Sequence, residues 1–184
     1  MIEYDDSTHT YSDNGRRIPS VTQVLSSYYK IGPSHYAYGS AERGRQVHAV
    51  CAGYANGCRF TVSAEIGGYV NAFRQWLFDR GAKVVSVEQM VSGTMAGLRF
   101  AGRYDLTVVI DGKLTLVDLK TGAPVEYFRP QLAAYAYAMA PPRPARAMIL
   151  YLKKDGTYKP DYLTPAQLFE GCRTFAAALA AWEE

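Results

Sequence analysis

Asp105 and Asp118 are set to lie side by side, and two adjacent carboxylates are the first sign of chemistry in this chain. The dipeptide Asp111-Gly112 favours a two-residue type I′ turn, with β-rich runs before it (Tyr104–Ile110) and after it (Lys113–Lys120). Pairing Ile110 with Lys113 carries the register back to Asp105 opposite Asp118, and to Arg103 opposite Lys120. Side chains two apart share a face of a strand, so Asp105, Asp118 and Lys120 point the same way. Opposed like charges destabilise a sheet. A hard divalent cation reverses that cost, because carboxylate oxygens are its preferred ligands. The first reading is therefore a metal site with a lysine beside it.

Other residues extend or weaken that reading. Val117 and Leu119 give the last strand an apolar second face, with Leu114 and Leu116 behind the charged pair. A strand apolar on both faces is central, where charge is costly unless paired. Taken alone, Asp118-Leu119-Lys120 also fits a surface ion pair of little consequence. Gly102 within a strand marks a bulge or a close backbone approach, where a ligand or phosphate could come near, or is a plain irregularity. Glu88 is either a third carboxylate or an outward residue, because the six-residue connection Ser92–Gly97 leaves its register open. His48 lies on an expected helix, where a lone histidine is usually packed or solvated. Gln131 and Tyr135 share a helix face. Gln131 falls in the first turn, where free N–H groups attract anions, although polar decoration of an Ala-rich helix explains the pair as well.

These residues need elements to hold them. Residues 1–19 read as a short polar hairpin or arm turning at Ser12-Asp13-Asn14-Gly15. Ser20-Val21-Thr22-Gln23 fits a capping box that opens a helix from Val21 to about Tyr29. Further helices are expected over Tyr36–Tyr54 and Ser63–Arg80, the second closed by Gly81. Strands follow at Lys83–Val91, Leu98–Ile110 and Lys113–Lys120. A helix then starts with Pro130 in its first position and ends near Met139. Arg146–Leu152 and Thr157–Leu163 flank a second turn at Asp155-Gly156, and Pro160 marks the latter as an edge strand. Thr164-Pro165-Ala166-Gln167 opens a last helix to about Trp182. The expectation is one α/β domain over residues 1–184, a central mixed β-sheet flanked by helices. Its arm and first helices fall in 1–60, its sheet and crossing helix in 83–163, and its last helix in 164–184.

Composition excludes several classes. The 184 residues are 48% hydrophobic, enough for one domain with a real core. A net charge of +3 permits a polyanionic partner without demanding one. No apolar run reaches the roughly 18 residues of a membrane span. The acidic N-terminus lacks a signal peptide's apolar stretch, so a cytoplasmic location is expected. Cys51, Cys58 and Cys172 are odd in number and form no C-x-x-C pair, so they are expected to be small buried residues rather than disulfide or cluster ligands. Among the 15 tyrosines, Tyr28 and Tyr29 adjoin Lys30, and Tyr36 and Tyr38 precede Arg43 and Arg45. Rings beside cations stack single-stranded bases, or simply fill half-buried surface.

Taken in order, Gly44-x-x-x-His48, Glu88, Gly102-x-x-Asp105, Asp118-x-Lys120-Thr121 and Gln131-x-x-x-Tyr135 resemble the motif series of the RecB-like branch of the PD-(D/E)XK nucleases. Ile18-Pro19-Ser20-Val21-Thr22 also resembles this branch, which includes phage and bacterial members and the mitochondrial genome-maintenance exonuclease. The resemblance spans about residues 18–140. It implies a restriction-endonuclease-like core and a metal-dependent DNA exonuclease of recombination, repair or processing, favouring single-stranded DNA or DNA ends. It further implies that His48, Asp105 and Asp118, helped by the Leu119 carbonyl, bind one or two Mg²⁺ or Mn²⁺ ions. Glu88 would join the acidic cluster, Lys120 would be the catalytic lysine, and Gln131 and Tyr135 would bind the backbone or order the site. Arg43, Arg45, Arg99, Arg103 and Arg129 would then hold the DNA backbone, with Tyr28 and Tyr36 stacking on bases. Two departures stand out. Tyr104 replaces the usual proline before the first aspartate, and the cysteines of iron–sulfur relatives are missing, so no cluster is expected. The alternatives are a structure-specific endonuclease and a non-cleaving DNA-binding module with a degenerate nuclease fold. A pure clamp has no use for opposed carboxylates.

Overall fold

The computed structural model describes residues 2–5, 8, 10–32 and 39–182. The chain opens with an antiparallel meander of β1 (Ile2–Asp5), β2 (Thr10–Asp13) and β3 (Arg16–Ile18). Its Asn14-Gly15 turn is where the sequence places it, and β1 adds a third strand to the expected hairpin. Tyr11 and Ile18 pack on Ala101, and the Ala101 N–H donates to the Pro19 carbonyl at 3.0 Å. The meander is thereby tied to β5 (Leu98–Ile110) one residue before Gly102.

The helix starts follow their caps. Ser20 Oγ accepts the Gln23 N–H at 3.1 Å and Gln23 Oε1 accepts the Ser20 N–H at 2.9 Å, which starts α1 (Val21–Tyr28). The next helix, α2 (Ser40–Ala55), begins behind Gly39 in a left-handed conformation (φ 72°), so it does not run back through that glycine. Residues 36–38 of the expected helix lie outside the described residues. α3 (Ala64–Asp79) ends as expected before Gly81 (φ 52°).

A five-stranded sheet follows in the order β4 (Lys83–Met95), β5, β6 (Lys113–Lys120), β7 (Arg146–Leu152) and β8 (Tyr158–Tyr162). Only β6 and β7 are parallel, because α4 (Phe128–Ala138) crosses over between them. β8 is an edge strand, which accommodates Pro160. The expected six-residue connection after β4 does not exist. The strand continues to Met95 and turns through Ala96-Gly97, both at positive φ (51° and 78°). Alanine is not a turn residue of that type, so the turn left no cue.

α4 starts earlier than the sequence suggested, which makes Pro130 its third residue. Proline is tolerated there because no N–H of the first turn has a partner within the helix. The shift matters for Gln131. Its N–H already donates to the Tyr127 carbonyl at 3.1 Å, so the backbone anion site expected at that position is absent.

Helices cover both sheet faces, in a three-layer arrangement. On one face α1, α4 and α5 (Pro165–Ala180) pack around Phe100, Leu116, Leu132 and Phe175. On the other, α2 and α3 pack around Phe73, Trp76, Leu106, Val117 and Leu119. β6 is apolar on both sides, as a central strand should be. Among the described residues, no helix is long and apolar enough to cross a membrane. Gly171 lets α5 lie against α4, because a Cβ there would meet Ala133 Cβ at 2.7 Å and the Arg129 carbonyl at 3.0 Å. Gly171→Ala should cost about 1–3 kcal/mol, read as a lower midpoint of urea denaturation. An unchanged midpoint would mean that the two helices have room to spare.

Candidate active site

The turn at Asp111-Gly112 (φ 52° and 71°) sets the register of β5 on β6, from Ile110↔Lys113 to Leu106↔Val117. The ladder stops there. The expected opposition of Asp105 to Asp118 falls one step beyond the last pair, and that of Arg103 to Lys120 three steps beyond it, so neither is part of the ladder. Asp105 takes over instead. Its Oδ2 accepts the Leu119 N–H at 2.6 Å, and its Oδ1 lies 3.2 Å from Nδ1 of His48 on α2.

β4 supplies the third acid through an irregularity. Its pairing with β5 slips between Val84 and Ser86, and Glu88 adopts a left-handed backbone (φ 50°), which is rare for a residue with a long side chain. Bulges of this kind re-aim side chains next to active sites. Ligand atoms of His48, Glu88 and Asp105 all lie within 4.8 Å of one another. Arg103 Nε holds Glu88 Oε2 at 2.8 Å.

On β6, Asp118 is only 3% exposed, and Lys120 Nζ lies 2.7 Å from its Oδ2. Among the described residues that oxygen has no hydrogen bond of good direction. The lysine therefore meets it by charge rather than by alignment. The same ammonium stands 4.7 Å from the centre of the Phe128 ring. On α4, Gln131 Nε2 donates to Tyr135 Oη at 3.3 Å. A Cβ at Gly102 would come within 2.6 Å of Tyr135 Cε1. The close approach foreseen at that glycine is thus made by the tyrosine ring, not by a ligand.

The charges are not equivalent. Burial pushes the Asp105 carboxyl up, but the His48 charge and hydrogen bond, Lys120 and the Leu119 N–H together hold it below its ordinary value. Burial pushes Asp118 up; Lys120 pulls it back and Asp105 pushes it up again, and the carboxyl stays above its ordinary value. Glu88 is also raised, by burial and then by Asp105. Burial alone would lower His48, yet Asp105 raises it above the usual imidazole value. Burial and then Asp118 raise the Tyr135 phenol, which stays protonated.

A cleft of about 630 Å³ brings His48, Glu88, Asp105, Asp118, Lys120, Gln131 and Tyr135 together, with Arg45 and Arg103 on its walls. Arg43 lines an adjoining lobe. Arg99 and Arg129 are turned to Asp13 (2.7 Å) and Asp161 (3.6 Å) and do not line the cleft. Tyr28 is exposed away from it. Tyr36 lies outside the described residues. Two residues were missed. Thr22 lines the cleft from the first turn of α1; the resemblance at Ile18–Thr22 included it but gave it no role. Phe128, three residues before Gln131 on one helix face, could have been found by that spacing. The cysteines are not uniformly buried, since Cys58 is exposed, while burial pushes the Cys51 thiol up to about 12.

The family model described as PD-(D/E)XK nuclease superfamily matches residues 58–184, more than two thirds of the chain. The chain belongs to the PD-(D/E)XK nuclease superfamily. A provisionally assigned exonuclease from Eubacterium rectale shares its fold, with a TM-score of 0.56, 12% identity, and 90% of this chain and 73% of that one covered. An alkaline exonuclease from Laribacter hongkongensis gives a TM-score of 0.46 at 13% identity, covering 89% of this chain and 87% of the other. No curated protein matches the sequence. His48 lies outside the residues that the superfamily model matches, so its place beside Asp105 rests on the fold alone.

Members of this superfamily use divalent metals. The donor set fits one here: two carboxylates and an imidazole suit a hard divalent cation. Burial first, and Asp105 after it, raise Glu88 and Asp118, and a bound cation would favour their charged forms. Without metal, the His48–Asp105 pair should leave a pH signature. A raised imidazole stabilises the fold below its unfolded value of 6.5 and loses that contribution as pH rises through the folded value. A lowered carboxyl stabilises above its unfolded value of 3.8 and loses that contribution as pH falls through the folded value. In EDTA, His48→Gln should therefore cost more stability near about pH 5.5 than near about pH 8.5. Equal losses would show that the pair is not charged.

Proposed function

We infer that this nuclease hydrolyses phosphodiester bonds in DNA, trimming it from ends or along unpaired strands. The observation that carries this is the convergence of Asp105, Asp118 and Lys120 in one cleft with His48 and Glu88 beside them. Asp105, Glu88 and His48 are the residues to hold Mg²⁺ or Mn²⁺, with Asp118 and the Leu119 carbonyl adjacent. Bound there, a divalent cation supplies a water of lowered pKa and a polarised phosphate.

The protein's own groups do the rest. Lys120 is held between Asp118 and the Phe128 ring. An incoming phosphate competes with Asp118 for it, and its charge offsets the one that grows on the phosphate oxygens. The protonated Tyr135 hydroxyl and the Gln131 amide offer donors on the opposite wall. Arg45 and Arg103 flank the cleft and hold the strand, with Arg43 near its lobe. Binding should therefore weaken as salt rises. Exonuclease action agrees with the assignment of the Eubacterium rectale protein that shares the fold. It suits the DNA end processing that recombination and repair require, in the cytoplasm.

Labelled linear and circular DNA, single- and double-stranded, should be incubated with Mg²⁺, Mn²⁺ or EDTA. The expected outcome is shortening of linear strands with either metal, intact circles, and no reaction in EDTA. Lys120→Ala should lower kcat by about 10²–10³-fold. Opened circles would make the protein an endonuclease. Binding without cleavage in either metal would make it a DNA-binding module.

A further inference from the structure

The cleft does not end at its charged residues. It opens sideways into a lobe of about 280 Å³ between α1, the start of α2, the end of β6 and the start of α4. Lobe and cleft share Thr22, Ala41, Gly44, His48, Lys120 and Gln131. Anything held in the lobe is therefore next to the groups that would act on a phosphate.

The far wall of the lobe is chemically unlike the cleft. Leu25, Tyr127 and Phe128 give it apolar and aromatic surface, and among the described residues no carboxylate lines it. A backbone phosphate would gain little there. Its size lies just below the ~300–1,000 Å³ usual for small-molecule pockets, which suits one planar heterocycle and not a base pair. Among the described residues, two polar groups of its lining residues have no hydrogen-bond partner, the acceptor Gln131 Oε1 and the donor Arg43 Nε. Both are screened from solvent, and leaving such groups unmade is costly. An entering edge with donors and acceptors that reached either group would give it a partner.

We propose that this lobe is a subsite for one unpaired nucleobase, that of the nucleotide carrying the scissile phosphate. The proposal rests on the nuclease reading above and deepens it by naming what the strand must present. Apolar and ring contact is tolerant of base identity, so the subsite selects for an unpaired base rather than for a sequence. It assigns base contact to Tyr127 and Phe128 rather than to the exposed Tyr28. A paired end would have to fray before its last nucleotide could seat.

The test pairs a substrate change with a protein change. One oligonucleotide carries a normal nucleotide at the cut position, the other an abasic tetrahydrofuran residue. Ser26→Leu narrows the lobe from a residue that does not line the cleft. Wild-type protein should lose tenfold or more in kcat/KM on the abasic strand, mainly through KM. Ser26→Leu should lose a similar factor on the normal strand and nothing further on the abasic one. Equal cutting of both strands by wild type, or losses that simply multiply, would overturn the subsite. A second readout needs no cutting. With Ca²⁺ in place of Mg²⁺, 2-aminopurine at the same position should be quenched on binding wild-type protein and much less on binding Ser26→Leu. Absence of that quench overturns the subsite even if DNA is cut. Quenching without cleavage in Mg²⁺ or Mn²⁺ overturns the hydrolase reading and leaves the subsite standing.

Discussion

Asp105 has to carry a negative charge inside the fold, and the surroundings are arranged around that demand. Burial alone would neutralise it. Three things prevent this: the imidazole of His48, brought by α2 from 57 positions away, the N–H of Leu119, and the nearby ammonium of Lys120. The cost falls on the sheet. The β5–β6 ladder gives up its next pair so that a carboxylate oxygen can accept the Leu119 N–H in its place. Across the other edge of β5, Glu88 adopts a backbone conformation that its side chain disfavours. Irregular pairing on both sides of one aspartate is the structural signature of the site.

The three carboxyls consequently differ in state. Asp105 is held low, while Asp118 and Glu88 are held high by burial and by Asp105 itself. Groups of one chemical type pushed in opposite directions within one cleft are the usual mark of a working site. Here they also explain why a divalent cation belongs. It is the one addition that turns mutual repulsion into shared ligation. Lys120 completes the balance, because an ammonium held by Asp118 on one side and an aromatic face on the other can turn to a phosphate without leaving the cleft.

Much of this was legible in the residues, and for identifiable reasons. Asp111-Gly112 is a strong turn signal, so strand boundaries and register on either side followed from it. The capping boxes at Ser20 and Thr164 placed two helix starts to the residue. What escaped depended on exceptions or on distance. Ala96 turns a chain with a residue that rarely does so. Pro130 is tolerated at more than one position of a first turn, so it marked the start of α4 two residues late. The positive φ at Glu88 has no local cue. The pairing of His48 with Asp105 is a tertiary contact, which the family resemblance anticipated and local spacing could not. Gly102 drew notice as a place where a ligand or phosphate could come close, but the fold puts the Tyr135 ring there instead.

If Asp105, Glu88 and His48 form one cation site, anomalous scattering from manganese will show it. A crystal soaked in Mn²⁺ should show a peak within bonding distance of the Asp105 carboxylate and of at least one of the other two residues. The peak should vanish in Asp105→Asn. A soaked crystal with no peak at this cleft, or with Glu88 and Asp105 turned away from each other, would mean that these residues share no cation.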